Sequence, residues 1–344
     1  MNNLNRLNNL NRLNNLNQLN NLNRLNNLNR LNNLNRLNNL NQLNQLNQLN
    51  HSQFSIFKDM DLSDKILLKH LCFFLLLFVP VALGAQETRD EVKVISFNVR
   101  NSSEMSERQD GAYYWAYRKD AVAKMLLAES PDAIGLQEAL IDQVAFFDGA
   151  LVGYQRVGVG RDDGATEGEW MAIYYRRDRF DLVKSATYWL SETPDKPSRG
   201  WDAACRRTVT VVQLRDRVSG KEWVYMNTHL DHVGKTARAE STKELRKLAD
   251  EWSEFPIVIG GDMNSGLEDT IFQIFTEAGL LSARDFAPIS DNKLTYNAYG
   301  KGKANQIDHF FVRKLRPLAF RTLDGDYGVP YVSDHYPVMM SFEL

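Results

Sequence analysis

Cysteine is nearly missing from this chain: there are two in 344 residues, Cys72 and Cys205. That excludes a thiolate cluster for zinc and a disulfide framework. Cys72 lies at the front of an apolar run rather than at its exit, which argues against lipid attachment. Cys205, left alone, reads as a small buried apolar side chain before it reads as a nucleophile. Long hydrophobic runs are also scarce. The longest, residues 71–79 extended past Pro80 to Ala85, is about fifteen residues, short of the roughly twenty that a spanning helix needs. No segment is rich in Lys and Arg. The first 85 residues hold eight of the 41 Lys/Arg and three of the 43 Asp/Glu, so residues 86–344 carry 33 against 40, a net of −7. Bulk charge therefore does not draw the protein onto polyanions.

What is present begins with repetition. The first fifty residues are almost wholly Leu, Asn, Arg and Gln in an L-N-R/Q-L-N-N unit. Leucine at every third position drifts around a 3.6-residue helix, and asparagine forms helix weakly, so residues 1–59 are expected to form no domain. Residues 60–85 set Lys65 and Lys69 before the apolar run and end in small residues, the layout of a secretory signal. Met60 stands where such a signal begins. The expectation is therefore translation from Met60, with the repeat as upstream sequence, and an exported chain, periplasmic or extracellular, with no integral membrane domain after cleavage. Residues 86–344 then form one domain of about 259 residues, the upper end of single-domain size. Two alternatives stay open: an internal membrane anchor behind a low-complexity tail, and a self-associating repeat that carries the rest as cargo.

Within the domain, helix and strand patterns interleave. VKVISFNV (92–99) alternates as a strand, YRKDAVAKMLLAES (117–130) has helical spacing stopped before Pro131, and DAIGLQE (132–138) is a short buried strand. EWMAIYY (169–175), RTVTVVQL (207–214) and EWVYMNTHL (222–230) read as strands, the last two joined by the turn-like RVSGKE. TARAESTKELRKLADEW (236–252) is an amphipathic helix, PIVIGGD (256–262) a strand and TIFQIFTEAGL (270–280) a helix. IDHFFV (307–312) and YPVMMSFEL (336–344) are closing strands. Because several strands follow one another over hairpin-length links, an α/β (α+β) sandwich of mixed sheets fits better than a parallel wound sheet.

Several of these strands end in groups that an apolar sheet has no use for: Asn98, Glu138, Asn227, His229, Asp262 and Asn264. Asp308 opens IDHFFV, and Asp334 with His335 precedes YPVMM. Each of the four histidines after residue 85 (His229, His232, His309 and His335) lies within two places of an aspartate. Carboxylates and carboxamides without thiolates make a hard oxygen site suited to Mg²⁺ or Mn²⁺, with positions left for water and phosphate oxygens. An Asp-backed histidine, once protonated, donates to charge developing on phosphorus or on a leaving oxygen. The chemistry is metal-assisted phosphoester hydrolysis. Singly, each residue has a plainer explanation. Asp262 and Asn264 suit a turn, Glu138 a cap for a helix starting near Leu140, Asp334 and His335 a polar surface, and Asn98 a sheet edge. Arg118 reads as a solvated helix residue, and His232 and His309 as structural. Those explanations must all hold at once to dismiss the site.

SFNVR, PDAIGLQE, NTHLDH, GGDMN, QIDHFFV and SDHYPV, in this order between residues 92 and 343, resemble the endonuclease/exonuclease/phosphatase superfamily. Its members include deoxyribonucleases, abasic-site endonucleases, deadenylases, inositol-polyphosphate 5-phosphatases and neutral sphingomyelinases. WLSETPDKPSRGWDAACRRTVT (189–210) further resembles a secreted bacterial branch near the deadenylases. The resemblance implies a four-layer sandwich of two mixed β-sheets flanked by helices. It implies Glu138 as the main Mg²⁺ (or Mn²⁺) ligand, with Asn98 and Asp334 beside it. Asp262 and Asn264 would orient and deprotonate the attacking water, His335 would be the charged donor oriented by Asp308, and His229 would face the phosphate from the other side. Asn227, Arg207 and Glu169 would contact substrate, Arg207 as a phosphate clamp. His309 and Gln306 depart from the aromatic and the Arg common at those positions, which bears on substrate choice. The implied activity is hydrolysis of nucleic acid, of a nucleotide or sugar phosphate, or of a phospholipid headgroup, with no obligate protein partner. The alternative, a catalytically silent binding module of the same fold, predicts loss of a core residue, and the core set is complete.

N-terminal sequencing of the protein from its native host is expected to begin near Gln86. A mature chain that still carries the Leu/Asn repeat would overturn both the Met60 start and the signal.

Overall fold

Strands with apolar residues at consecutive positions are stable only where both faces are covered. The computed structural model describes residues 91–344 and shows this arrangement; the repeat and the signal-like stretch lie outside the described residues. The first six-stranded sheet contains β1 (Glu91–Asn98), β2 (Ala133–Gln137), β3 (Tyr154–Val157) and β4 (Ile173–Arg176). The second contains β5 (Phe180–Trp189), β6 (Thr208–Asp216), β7 (Glu222–His229), β8 (Ile257–Asp262), β9 (Leu281–Ser282) and β10 (Asp308–Arg313). The chain then returns to the first sheet with β11 (Arg316–Thr322) and β12 (Val338–Glu343). The strand orders are β11-β12-β1-β2-β4-β3 and β5-β6-β7-β8-β10-β9. Each sheet has one parallel pair, β1 with β2 and β7 with β8, among antiparallel neighbours.

Each parallel pair is spanned by a crossover helix on the sheet's outer face. After the short α1 (Glu104–Asp110), α2 (Trp115–Glu129) links β1 to β2, and α3 (Ile141–Ala150) follows beside it. Their apolar sides pack on Ile95, Phe97, Ile134 and Leu136. Between β7 and β8, α4 (Lys235–Glu251) sets Leu245 and Leu248 against Val224, Met226, Ile257 and Ile259 of the second sheet. The inner layer, where the sheets face each other, holds Val92, Val94, Tyr175, Trp223, Tyr225, Val258, Phe310 and Phe342. These layers, helices, sheet, sheet, helix, are the expected four-layer sandwich.

Side-chain alternation positions the site. On β1 the inner series runs Val92, Val94, Ser96, Asn98; on β7, Trp223, Tyr225, Asn227, His229; on β8, Val258, Gly260, Asp262; on β10, Val312, Phe310, Asp308. Every series passes from apolar to polar toward the same end of the sandwich. The ladders align these ends: His229 and Asp308 both pair with Asp262, and Asn98 pairs with Gln137.

Two segments differ from expectation. Residues 270–280 form a 3₁₀ turn (Thr270–Phe272) and one short helix, α5 (Gln273–Glu277), because Gly279 turns the chain with a φ of 72°. In EWMAIYY only Ile173 onward joins the ladder. Trp170 makes isolated bridges to Ala139 and Gly160 instead, since Gly168, at φ 79°, brings the strand in from a loop. The polar edge strand β5 and the bulged β11 lack the apolar alternation by which the other strands are recognised.

Where the sheets approach most closely the chain uses glycine. A Cβ on Gly135 of β2 would stand 2.2 Å from the Tyr225 hydroxyl, and one on Gly260 2.5 Å from the Phe310 ring. Gly135→Ala is therefore expected to destabilise the fold by about 1–3 kcal/mol through overpacking. The readout is a lower urea midpoint at unchanged m-value.

Candidate active site

At the polar end of the sandwich the strand termini open into one cleft. It is lined by Arg100, Asn101, Glu138, Arg161, Glu169, Cys205, Arg207, His229, His232, Asp262, Asn264, Tyr296, Asn305, Ile307, Asp334 and His335. Glu138 reaches it by a break in alternation. As the residue after β2 it would face the outer helices, but its backbone turns into the left-handed region (φ 64°) and returns the carboxylate to the inner side. Asp334 and His335 come from the loop before β12, held where the Ser333 hydroxyl donates to Asn98 O at 2.8 Å and the Asn297 and Ala298 amides donate to Asp334 O.

The centre is a chain of contacts. His335 Nδ1 lies 2.9 Å from Asp308 Oδ2, and its Nε2 lies 3.6 Å from Asp262 Oδ2. Asn98 Nδ2 donates to Glu138 Oε1 at 2.9 Å and to Asp262 Oδ2 at 3.0 Å. Asn264 N donates to Asp262 Oδ1 at 2.9 Å, fixing that carboxylate, while Asn264 Nδ2 donates to Leu230 O and to His229 Nε2. His229 Nε2 also lies 3.4 Å from Asp262 Oδ2, and its Nδ1 is buried with no partner among the described residues.

Burial sets the charges. It pushes the Asp262 carboxyl up to about 7, against the pull of His335. Burial alone would lower His335, but Asp308 and Asp262 outweigh it and hold the imidazolium up at about 10. His229 goes the other way, well below the usual histidine range, through burial and the nearby Arg207 and Arg161. Burial raises Asp334 and Glu169, whereas at Glu138 it is outweighed by Arg100 and by the Asn98 hydrogen bond, so that carboxyl is lowered.

The donor set fits a hard divalent cation. Glu138, Asp262 and Asp334 line the same cleft as oxygen donors, and the Asp308 Oδ1 behind them is buried without a partner among the described residues. Ligand atoms of Asp262, Asp308 and His335 lie within 4.8 Å of one another. Glu138 and Asp334, with Asp262 beside them, would be the side chains to hold such an ion.

One expected role is corrected. Asn227 does not line the cleft. One step deeper on β7, it donates to Leu136 O and Ala172 O and accepts from Gln137 Nε2, so it ties the two sheets together and is closed to substrate. Asn98 presents its amide hydrogens to the carboxylates, because its Oδ1 is taken by the Arg100 backbone amide at 3.0 Å. It therefore orders Glu138 and Asp262 through its amide hydrogens. His309, on the outer face of β10, packs on Phe272 and Phe311 with Nε2 2.9 Å from Ser265 O, and is structural as expected.

Other residues escaped sequence reasoning. Asn101 Nδ2 bridges Glu138 Oε2 (3.1 Å) and Glu169 Oε1 (3.4 Å), while its Oδ1 is gripped by Ser103 and Ser106 at the start of α1. Arg118 is fully buried, contrary to expectation: its guanidinium donates to Tyr113 O, Val99 O and Val332 O, with Arg100 O at 3.4 Å. It ties the end of β1 to the loop that carries Asp334. Cys205 is half-buried on the cleft wall, its thiol 3.8 Å from Asp231 Oδ2, and His232 is exposed at the rim.

The model of the Endonuclease/Exonuclease/phosphatase family matches residues 95–335. The chain belongs to that family. Among family structures, an endonuclease/exonuclease/phosphatase from Bacteroides vulgatus is 31% identical, with a TM-score of 0.69 over 74% of this chain and 99% of that one. A mannosyl-6-phosphatase from Bacteroides thetaiotaomicron is likewise 31% identical, with a TM-score of 0.69 over 74% of this chain and 100% of its own. Protein L388 of Acanthamoeba polyphaga mimivirus is 26% identical over 275 residues, 73% of this chain and 100% of that protein. Family members are generally phosphoester hydrolases.

Arg118→Met leaves these buried carbonyls without a donor and is expected to cost about 3 kcal/mol or more. Arg118→Lys keeps the charge but loses the fork and should fall between. Urea titration of both variants checks the order.

Proposed function

We propose that this protein is an exported, divalent-metal-dependent phosphoester hydrolase, with residues 86–344 as its catalytic domain. The observation that carries the reading is the continuous chain Asp308–His335–Asp262–Asn98–Glu138 at the head of one cleft. A bound Mg²⁺ or Mn²⁺ would supply Lewis-acid polarisation of a phosphoryl oxygen. Asp262, held by Asn264 and Asn98 and with its proton affinity lifted to about 7, is suited to take a proton from the attacking water. His335, kept charged by Asp308, donates to the phosphoryl or leaving oxygen. His229, neutral, lines the opposite side of the cleft with its Nε2 held against Asn264.

Export rests on the signal-like stretch of residues 60–85, and no helix among the described residues is long and apolar enough to cross a membrane. Nucleic acid, a nucleotide or sugar phosphate, and a phospholipid headgroup are the substrate classes for this chemistry. Likeness to a mannosyl-6-phosphatase supports including phosphomonoesters. A silent binding module of this fold would lack part of the chain of contacts, which is intact here.

The test is hydrolysis of p-nitrophenyl and bis-p-nitrophenyl phosphate, RNA, DNA, nucleotides, sugar phosphates and sphingomyelin, with Mg²⁺ and with EDTA. EDTA is expected to abolish turnover. Asp262→Ala and His335→Ala should each lower kcat by about 10²–10⁴. Glu138→Gln should weaken Mn²⁺ binding, followed by electron paramagnetic resonance, by about tenfold or more. Hydrolysis of none of the substrates by the native protein would decide for the silent module.

A further inference from the structure

Glu138, half-buried, keeps its inward aim through a backbone in the left-handed region at φ 64°. Such a conformation persists where the surroundings over-determine it, so the groups that grip this side chain carry weight. Asn98 Nδ2 takes one carboxylate oxygen, Oε1, at 2.9 Å. Asn101 takes the other twice: its backbone amide donates to Oε2 at 3.2 Å and its Nδ2 at 3.1 Å. Of the two asparagines, Asn98 lies within SFNVR, whereas Asn101 stands just beyond it and has no part in the chemistry above.

The far side of the Asn101 side chain fixes which way its amide faces. Oδ1 accepts from the Ser103 backbone amide at 3.2 Å and from the hydroxyls of Ser103 and Ser106 at 2.6 and 2.7 Å. A flipped amide would set Nδ2 against the Ser103 amide and Oδ1 against carboxylates, so the hydrogens of Nδ2 must face the cleft. One goes to Glu138, and the other is directed at Glu169 Oε1, 3.4 Å away. Glu169 is itself fixed, its Oε2 lying 2.5 Å from Arg161 Nη1. A line of contacts thus runs from Arg161 through Glu169 and Asn101 to Glu138, and Ser103, the N-cap of α1, with the buried Ser106 roots it in the first turn of that helix. Turn formation explains only half of this. Closing the chain into α1 needs an acceptor, which Asp or Ser would supply as well as Asn. Delivering hydrogens to two carboxylates from the same side chain needs the amide.

We propose that Asn101 is a positioning residue for the divalent cation: gripped by Ser103 and Ser106, it holds Glu138 in the inward-turned orientation in which that carboxylate binds the ion. The inference rests on the metal-dependent reading of the same site and concerns how the ligand is held, whatever ester is hydrolysed. Without Asn101, Glu138 keeps its Asn98 contact at Oε1 but loses both donors at Oε2. Its side chain must then be ordered when the ion binds, which lowers affinity.

The test measures Mn²⁺ binding by electron paramagnetic resonance, without substrate, on the native protein, Asn101→Ala and Ser106→Ala, with a urea titration of each. Asn101→Ala is expected to weaken Mn²⁺ binding about 10- to 100-fold, the usual effect of removing a group that orients a metal ligand. Ser106→Ala leaves the Nδ2 donor and the Ser103 cap in place but loosens the grip on Oδ1, and should weaken binding less, in the same direction. Affinity is read far below the urea midpoint, so a loss of stability alone does not move it. Native Mn²⁺ affinity in Asn101→Ala overturns the proposal, whether or not the urea midpoint falls, and so does a larger loss in Ser106→Ala than in Asn101→Ala. Weakened binding in Asn101→Ala with no hydrolysis of any phosphoester by the native protein leaves the positioning role standing and sinks the hydrolase. Hydrolysis by the native protein with unchanged Mn²⁺ binding in Asn101→Ala does the reverse. A native protein that binds no Mn²⁺ overturns both.

Discussion

The structure depends on placing several carboxylates and an imidazolium at the cleft end of an apolar core. Asp262, Asp308 and His335 are buried and Glu138 is half-buried, and an isolated buried charge costs several kcal/mol. The arrangement holds because His335 sits between Asp308 and Asp262, with Asn98 and Asn101 turning amide hydrogens toward the same carboxylates. The compensation is partial. Asp262, Asp334 and Glu169 keep carboxyls raised by burial, so this end of the core is short of positive charge. Chemistry and stability therefore pull in opposite directions here, and the surrounding framework has to bear the difference.

That framework is a polar layer directly beneath the site. Gln137 donates to the Ser96 hydroxyl, Gly135 O and Asn227 Oδ1, and Asn227 donates back to Leu136 O and Ala172 O. Apolar contacts alone would let two twisted sheets slide, whereas satisfied buried hydrogen bonds fix one relative position. Since Asn98 belongs to one sheet and Asp262 to the other, their 3.0 Å contact exists only at that position. Arg118 does the same for the third component, joining the end of β1 to the loop that brings Asp334 and His335.

Much of this was legible in the sequence. Apolar strands that stop on Asn, Asp or His announce a polar end of the sandwich, and period-two alternation separates Asp308, facing inward, from His309, facing the outer helices. What stayed hidden depends on contacts between segments far apart in the chain. Asn227 looks the same in sequence whether it faces a cleft or ties β7 to the backbone of β2 two residues below His229. Arg118 sits among charged helix residues, and its burial follows from the end of β1, the turn at Tyr113 and the loop at Val332 closing over it. Cys205 and His232 meet through Asp231, and no local pattern reports that. Strands β3, β5 and β11, at or near sheet edges, carry polar faces, and apolar periodicity is silent about them.

Register follows as the final constraint. Because side chains alternate at every residue, a one-place slip of β10 against β8 would exchange Asp308 for His309 and leave His335 with no anionic partner. Phe310 resists that slip. It fills the space left by Gly260 in the inner layer, and a shifted strand would bring Phe311 into the same gap from a neighbour already packed on Phe272 and Phe275. The GG pair before Asp262 is thus a packing device whose effect is electrostatic. By admitting one aromatic ring at one place, it sets which carboxylate stands behind His335. Glu138 breaks the alternation of β2, and its left-handed backbone shows what the chain must do to aim a carboxylate inward from a position that strand geometry would turn outward.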